Sequence, residues 1–352
     1  MLQKSLQIKT QNGLNCRDQM RINFGILGAG RISKIHCHNI YNNPKAKILK
    51  IYDINNKSSE SLAKKYKTYA CKDEIEIFKD SKIDAIVIGS STPTHIKYLD
   101  LANKYNKDVY CEKPIHLNLK TVDACLNRLS NHKNKIQIGF HRRFDLSHIE
   151  LKKRLTAKKY GDIEQINISS RDSGLPPISY LKVSGGIFKD MTIHDLDILR
   201  WLLNDEIDEV YAQGTVMIDR KVKKVPDYDT ASMILKSKKG ILCQLSNSRR
   251  QTGGFDQRIE VYCKKGNLNL TNIKKTSVQE INSKSEVFDN YPLSFIERYK
   301  ESYVRAIDYF INCIIKNIKP YPGLLDGRNS LAIAQALTES ARKSKPIKVN
   351  LI

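Results

Sequence analysis

No stretch of this sequence is apolar for the ~18–20 residues that a helix needs to span a bilayer. The longest apolar runs, such as 84-DAIVIG-89, have the length of a strand. No two cysteines are spaced C-x-x-C. The eight (Cys16, Cys37, Cys71, Cys111, Cys125, Cys243, Cys263 and Cys313) fit no zinc-ribbon or ferredoxin pattern. Scattered cysteines without a secretory signal predict a reducing, cytoplasmic setting. Residues 1–19 carry Lys4, Lys9 and Arg17 but no apolar core segment, so they do not read as such a signal. They are expected to be a loose extension, with the folded body starting near Met20. Proline and glycine are few, at 10 and 17 of 352 residues, and neither an internal repeat nor a low-complexity linker interrupts the chain.

Charge is abundant. Lys and Arg number 60 against 37 Asp and Glu, a formal net charge of +23. Such an excess attracts phosphate backbones. Here the lysines are spread along the whole chain with Ile and Asn, and no arginine-rich tail, helix-turn-helix cue or zinc-finger spacing accompanies them. Neither a nucleic-acid nor a membrane partner is expected. The length is that of two domains, with ample apolar content for a core.

Short β runs alternate with amphipathic stretches from residue 22 onward. The strand candidates are 22-INFGIL-27, 48-ILKIYD-53, 84-DAIVIG-89, 108-DVYCE-112 and 136-IQIGF-140. Helical candidates lie between them at 31–43, 57–66, 94–106 and 117–131. This pattern predicts an α/β Rossmann unit over 20–140, a doubly wound parallel sheet with helices on both faces. After about residue 160 strands follow one another: 162–172, 207–218, 230–237, 240–248, 258–263 and 276–282. Many alternate apolar and polar residues, as in a sheet with one buried face. One helix is expected at 190–203 and two more near 293–317 and 325–343. Residues 141–352 are therefore expected to form an α+β domain on a large, mainly antiparallel open sheet.

The segment 25-GILGAGRIS-33 leaves a strand and enters a helix. Gly28 permits the tight turn, Gly30 allows close approach of a pyrophosphate, and the first helical amides then face that anion. The third glycine of the G-x-G-x-x-G pattern is Ser33, small enough for the helix–strand contact that this position governs. Asp53, at the end of the second strand, can accept hydrogen bonds from ribose hydroxyls and would repel a 2′-phosphate, which favours NAD over NADP. An ordinary strand-end role for it stays open, as does a phosphate contact from Lys57. The stretch after 84–89, including Ser91, Thr92, Pro93, Thr94 and His95, falls at the carboxyl edge of the sheet, where Thr94 has the alternative of capping the next helix. The expected cofactor set is Gly28, Ala29, Gly30, Arg31, Ile32, Asp53, Ser91, Thr92, Pro93, His95, Glu112 and Lys113.

Two further groups suggest chemistry. In 112-EKP-114, Lys113 stands at the same sheet edge. In 185-GGIFKDMTIHDLDILRWL-202, Asp190 and His194 are four residues apart and share one face of a helix, which Asp197 extends. Such a pair can handle a proton, the carboxylate orienting the imidazole. An acid at a helix start is also what the macrodipole favours. No third ligand has a metal-binding spacing, so no metal is expected.

Taken in this order, the fingerprint, 112-EKP-114 and the Asp190/His194 pair resemble the Gfo/Idh/MocA oxidoreductases over residues 20–345. Within that family, 141-HRRFD-145, 171-RDSGLPPISYLKVSGGIFKDM-191, 246-SNSRR-250 and 256-DQRIEVYCKKG-266 are similar to its inositol-oxidising members. The resemblance implies a catalytic set of Lys113, Asp190 and His194, with substrate contacts also at Arg142 and Asp172. It implies NAD-linked oxidation of a ring hydroxyl of a cyclic polyol, myo-inositol to its 2-keto product, and a homodimer or homotetramer through the second sheet. Two departures stand out: Phe255, near where relatives often carry Tyr, and Ser33. An aldose or sugar-derivative dehydrogenase is the nearest alternative, and a non-catalytic nucleotide-binding sensor is the alternative of another class.

Overall fold

The computed structural model describes residues 21–352. The extension expected at 1–19 lies outside these residues. The first half is a parallel sheet of β1 (Ile22–Leu27), β2 (Ala46–Tyr52), β3 (Tyr69–Ala70), β4 (Ala85–Ile88), β5 (Asp108–Cys111) and β6 (Ile136–Ile138), in the order 3-2-1-4-5-6. Helices α1 (Arg31–Tyr41), α2 (Asn56–Lys65), α3 (Ile75–Lys79), α4 (His95–Lys104) and α5 (Leu119–Arg128) connect the strands. The apolar run of β4 is explained by burial on both faces. Ala85 and Val87 pack with Phe24 and Ile26 on one side, and Ile86 and Ile88 pack with Leu99 and Val122 on the other. The strand order reverses between β1 and β4, which opens a ligand crevice at their carboxyl ends.

The second sheet runs β12-β11-β7-β10-β9-β8-β15, built from β7 (Ile163–Arg171), β8 (Ile207–Thr215), β9 (Thr230–Ser237), β10 (Leu242–Ser248), β11 (Asp256–Cys263), β12 (Gly266–Leu270) and β15 (Ile347–Lys348). Only β7 and β10 pair in parallel; the other pairs are antiparallel. The inward residues of β7 and β10, such as Ile166, Ile168 and Leu245, pack beneath α6 (Leu146–Thr156) and α8 (Ile193–Leu203). The opposite face carries Gln165, Asn167, Gln244 and Glu260, together with the exposed Ile234 and Leu242.

The last helices bind the two halves together. Following α7 (Ile178–Leu181) and α9 (Phe295–Arg298), α10 (Lys300–Ile315) lays Ala306, Ile307, Phe310 and Ile311 against Phe24 and Ile40 of the first sheet layer. The sequence places α10 in the second unit, whereas its apolar stripe packs on the first. Helix α11 (Leu324–Lys343) puts Leu331 and Ala332 into the first core and Ile333 and Leu337 into the second. Buried Arg143 joins them further, donating to Asp197 on α8 and Asp326 on α11 at 2.6–2.8 Å.

The remaining differences are local. Residues 276–282 do not join the main sheet; β13 (Gln279–Ile281) and β14 (Glu286–Phe288) form a separate exposed hairpin. The helix expected at 293–317 is two, broken at Tyr299, and the one at 190–203 opens with a π turn at Phe188–Thr192. No described helix is long and apolar enough to cross a membrane.

Candidate active site

The turn after β1 brings the cofactor-side residues together. Gly28 adopts φ +100°, and a Cβ there would lie 2.7 Å from the Ser90 amide and 2.8 Å from Gly89 backbone, so only glycine fits. Beside Gly30 the space is open: a Cβ would meet nothing within 4 Å. Helix α1 starts there with no side-chain cap and no acid in its first turn, so its leading amides are left for an anion. Ser33 donates to the Gly89 carbonyl at 3.2 Å and fills the space that a larger residue at 89 would need. Asp53 accepts from the amides of Ala29 (2.6 Å) and Asn55 (2.8 Å), so it braces the turn while each oxygen keeps a second lone pair for a ribose hydroxyl. These residues fit a dinucleotide.

Several side chains of the other expected cofactor residues have partners within the protein. Arg31 lies with its guanidinium 4.9 Å over the Phe295 ring, and Ile32 packs against Phe255, Tyr299 and Tyr303. Ser91 and Pro93 are exposed and Thr92 half-buried in a short turn. The Thr94 hydroxyl donates to the Ser91 carbonyl at 2.8 Å and does not cap α4. His95 is buried with its ring nitrogens 2.9 Å from the Pro114 carbonyl and 3.0 Å from the Ser90 carbonyl. A carbonyl stands against each nitrogen, and the neutral ring donates to one of the two, so His95 sits wedged between the two crevice loops. Buried Glu112 pairs with His36 at 2.7 Å, linking α1 to the end of β5.

Across the crevice, Lys113 and Asp190 meet. The ammonium donates to the Asp190 carbonyl at 2.9 Å and stands 3.6 Å from its carboxylate. The same carboxylate accepts from the Tyr180 hydroxyl at 2.8 Å and faces the Arg249 guanidinium at 3.4 Å. The helical spacing predicts that Asp190 orients His194, yet no hydrogen bond joins them. Asp190 lies in the π turn, where these three partners hold its carboxylate. Asp197, expected on the same face, is buried and paired with Arg143. His194 packs edge-on against His141 (5.2 Å) and Phe140 (6.2 Å), and its buried Nδ1 has no partner. Arg142 donates to the buried Asp195, which also accepts from Ser170 and Asn247. Asp172 stands at the end of β7, its amide bonded to the Ser248 carbonyl at 2.9 Å.

Burial dominates the electrostatics. It holds His194 well below its ordinary protonation range, and nearby Lys113, Arg142 and His141 push the same way. The imidazole is neutral at pH 7, with a lone pair available. His141 is depressed likewise, by burial and then by Arg142 and Lys113. Burial raises the Asp172 carboxyl to about 6, against the opposing charge of Arg249. The wall therefore combines a neutral base, an ammonium and a carboxylate without hydrogen-bonding donors of its own. This combination suits removal of a hydroxyl proton beside a dinucleotide crevice. Among the described residues, no group of His, Cys, Asp and Glu could hold a metal ion. Tyr180, Arg249 and Asp227 escaped the sequence reading as site residues. The stretches 171–191 and 246–250 contain the first two, but no local spacing links them to Asp190.

Comparison with known proteins agrees with this architecture. The family model for the oxidoreductase family with an NAD-binding Rossmann fold matches residues 22–140, and that for the GFO/IDH/MocA C-terminal domain matches residues 148–269. The inositol 2-dehydrogenase of Rhizobium meliloti (strain 1021) is 38% identical over 336 residues, covering 94% of this chain and 100% of that protein. The myo-inositol 2-dehydrogenase of Thermotoga maritima is 35% identical over 331 residues, covering 94% and 98%. A solved structure of scyllo-inositol dehydrogenase from Lactobacillus casei, with bound NAD(H) and scyllo-inositol, superposes with a TM-score of 0.88 at 27% identity, covering 93% of this chain and 99% of that one. The chain belongs to the Gfo/Idh/MocA oxidoreductases. It is an NAD-dependent oxidoreductase, similar along nearly its whole length to inositol dehydrogenases.

Proposed function

We propose that this enzyme oxidises one ring hydroxyl of an inositol to a ketone, with myo-inositol giving the 2-keto product. The observation that carries this reading is the contact of Lys113 with Asp190 at the carboxyl edge of the nucleotide-binding sheet, with His194 within electrostatic reach of Lys113 and Asp172 within that of Asp190. Similarity to an inositol 2-dehydrogenase at 38% identity and to a myo-inositol 2-dehydrogenase at 35% supports the substrate. The neutral imidazole of His194 removes the hydroxyl proton. Lys113 donates a hydrogen bond to the reacting oxygen and stabilises the negative charge that develops on it. Asp190 acts through Lys113, fixing the ammonium at the crevice edge. Asp172 accepts hydrogen bonds from neighbouring hydroxyls, and the Arg142 charge lies behind it. Gly28, Gly30, the first amides of α1 and Asp53 would hold NAD, which would supply the acceptor for the carbon-bound hydrogen and its electron pair.

The uncovered face of the second sheet, with Ile234 and Leu242 exposed at its centre, is proposed to join copies into a dimer or tetramer. NMR identification of the product formed from myo-inositol and NAD tests the assignment. A carbonyl at C2 is expected; a carbonyl elsewhere, or an unchanged polyol, overturns it.

A further inference from the structure

Arg249 is fully buried, yet the mechanism above gives it no task. It follows β10 directly, as Asp172 follows β7. These strands pair in parallel through Arg171 and Ser248, so the two residues emerge side by side at one sheet edge. The Arg249 guanidinium reaches Asp190 at 3.4 Å through one nitrogen and Asp227 at 3.3 Å through another, and its Nε has no partner. Asp227 is itself held: its other oxygen accepts from the amides of Ile187 and Tyr228, both at 2.7 Å.

This is poor construction for stability alone. Charge-assisted hydrogen bonds are normally ~2.7–2.9 Å, and a buried guanidinium whose donors are incompletely matched is worse for stability than an apolar side chain of similar size. What the arrangement does supply is a fixed positive charge facing carboxylates in the site. We propose that Arg249 is a positioning residue for the oxidation: anchored on Asp227, it holds Asp190 on the Lys113 side of the crevice and sets a positive charge beside the carboxylate of Asp172. The proposal rests on the reading of Lys113, Asp190 and Asp172 as the oxidation site.

The groups facing Asp172 are Arg249 from the β10 edge, Asp190 from the π turn, Arg142 from the turn after β6, and Asp195 from α8. The two arginines favour its ionised form and the two aspartates oppose it. Loss of Arg249 therefore leaves Asp172 protonated to higher pH. Substitution also frees Asp190 from its hold opposite Lys113.

The test uses the full-length protein with NAD and myo-inositol, and variants R249Q, R249K, D227N and the R249Q/D227N double. R249Q is expected to lose about 100-fold in kcat, the scale of a misplaced reacting group, while NADH affinity by fluorescence titration stays within about twofold. The acid limb of its kcat/KM profile moves up by about one pH unit. R249K restores that limb and part of kcat. D227N changes kcat in the same direction, and the double variant is no worse than R249Q, because both act through one contact. R249Q with the parent's kcat and acid limb overturns the proposal, as does a double variant whose losses simply add. If R249Q does not fold, R249K and D227N decide: the parent's kcat and pH profile in both overturns it. A parent that makes no NADH from any inositol overturns the site reading and this proposal with it. A normal parent with unaffected Arg249 variants overturns this proposal alone.

Discussion

His194→Ala separates chemistry from architecture. The imidazole fits between Phe140 and His141, and its Nδ1 bonds to nothing, so truncation breaks no hydrogen bond and leaves a small cavity. A general base contributes roughly 10²–10⁴-fold, about 2.7–5.4 kcal/mol of barrier, and kcat/KM is expected to fall by that factor. The glycine turn and Asp53 are untouched, so NADH binding should change by no more than about twofold. A second signature concerns stability. His194 stays neutral in the folded protein, while the unfolded chain binds a proton below its ordinary pKa of about 6.5. The unfolded state thus holds more protons, and stability falls as pH drops. Between about pH 8 and pH 5 this one residue destabilises the parent by up to about 2 kcal/mol, a change that the alanine variant lacks. Progress curves of NADH, NADH fluorescence titrations and urea unfolding at the two pH values measure all three effects. Turnover within about tenfold of the parent refutes the base assignment, and a similarly large loss of NADH binding refutes the separation of the two ends.

Gly28→Ala places a Cβ 2.7 Å from the Ser90 amide at φ +100°. It should cost about 2–4 kcal/mol in urea unfolding and abolish tight NADH binding; a neutral effect contradicts the turn geometry. Arg143→Met strands the buried Asp197 carboxylate, at a cost of about 3–5 kcal/mol, and adding Asp197→Asn should recover part of it, as unfolding curves of the single and double variants will report. His95, His141 and His148 are also held below their ordinary range by burial. Each should add up to about 1.4 kcal/mol of lost stability per pH unit below about 6.5, partly offset by Asp172, whose folded form takes a proton near 6. Melting temperatures that stay flat between about pH 8 and pH 5 contradict this.

The chain shows its larger architecture in its periodicity and its smaller pieces only in three dimensions. Strand β1 coincides with the expected 22–27, and the β/α alternation follows from apolar runs that pack on both faces. Strand β3 has two residues, too few for any period to appear. Helix α6 buries only His148 and Leu151, so its stripe is faint. The packing of α10 on the first sheet is a contact between residues nearly 300 positions apart, which no local pattern encodes. The site divides the same way. Lys113, Asp190 and His194 stand out by motif, but the carboxylate's actual partners depend on a π turn and on Tyr180 and Arg249 arriving from other elements. A helical i, i+4 spacing therefore implies a hydrogen bond between Asp190 and His194 that the π turn does not make.

The central claim is most directly tested by initial rates of NADH formation on a panel of myo-inositol, scyllo-inositol, glucose and galactose, run in parallel with NADP. The account predicts turnover of an inositol, faster with NAD than with NADP and lost in His194→Ala. Cofactor binding without turnover of any inositol, or faster oxidation of an aldose, contradicts it.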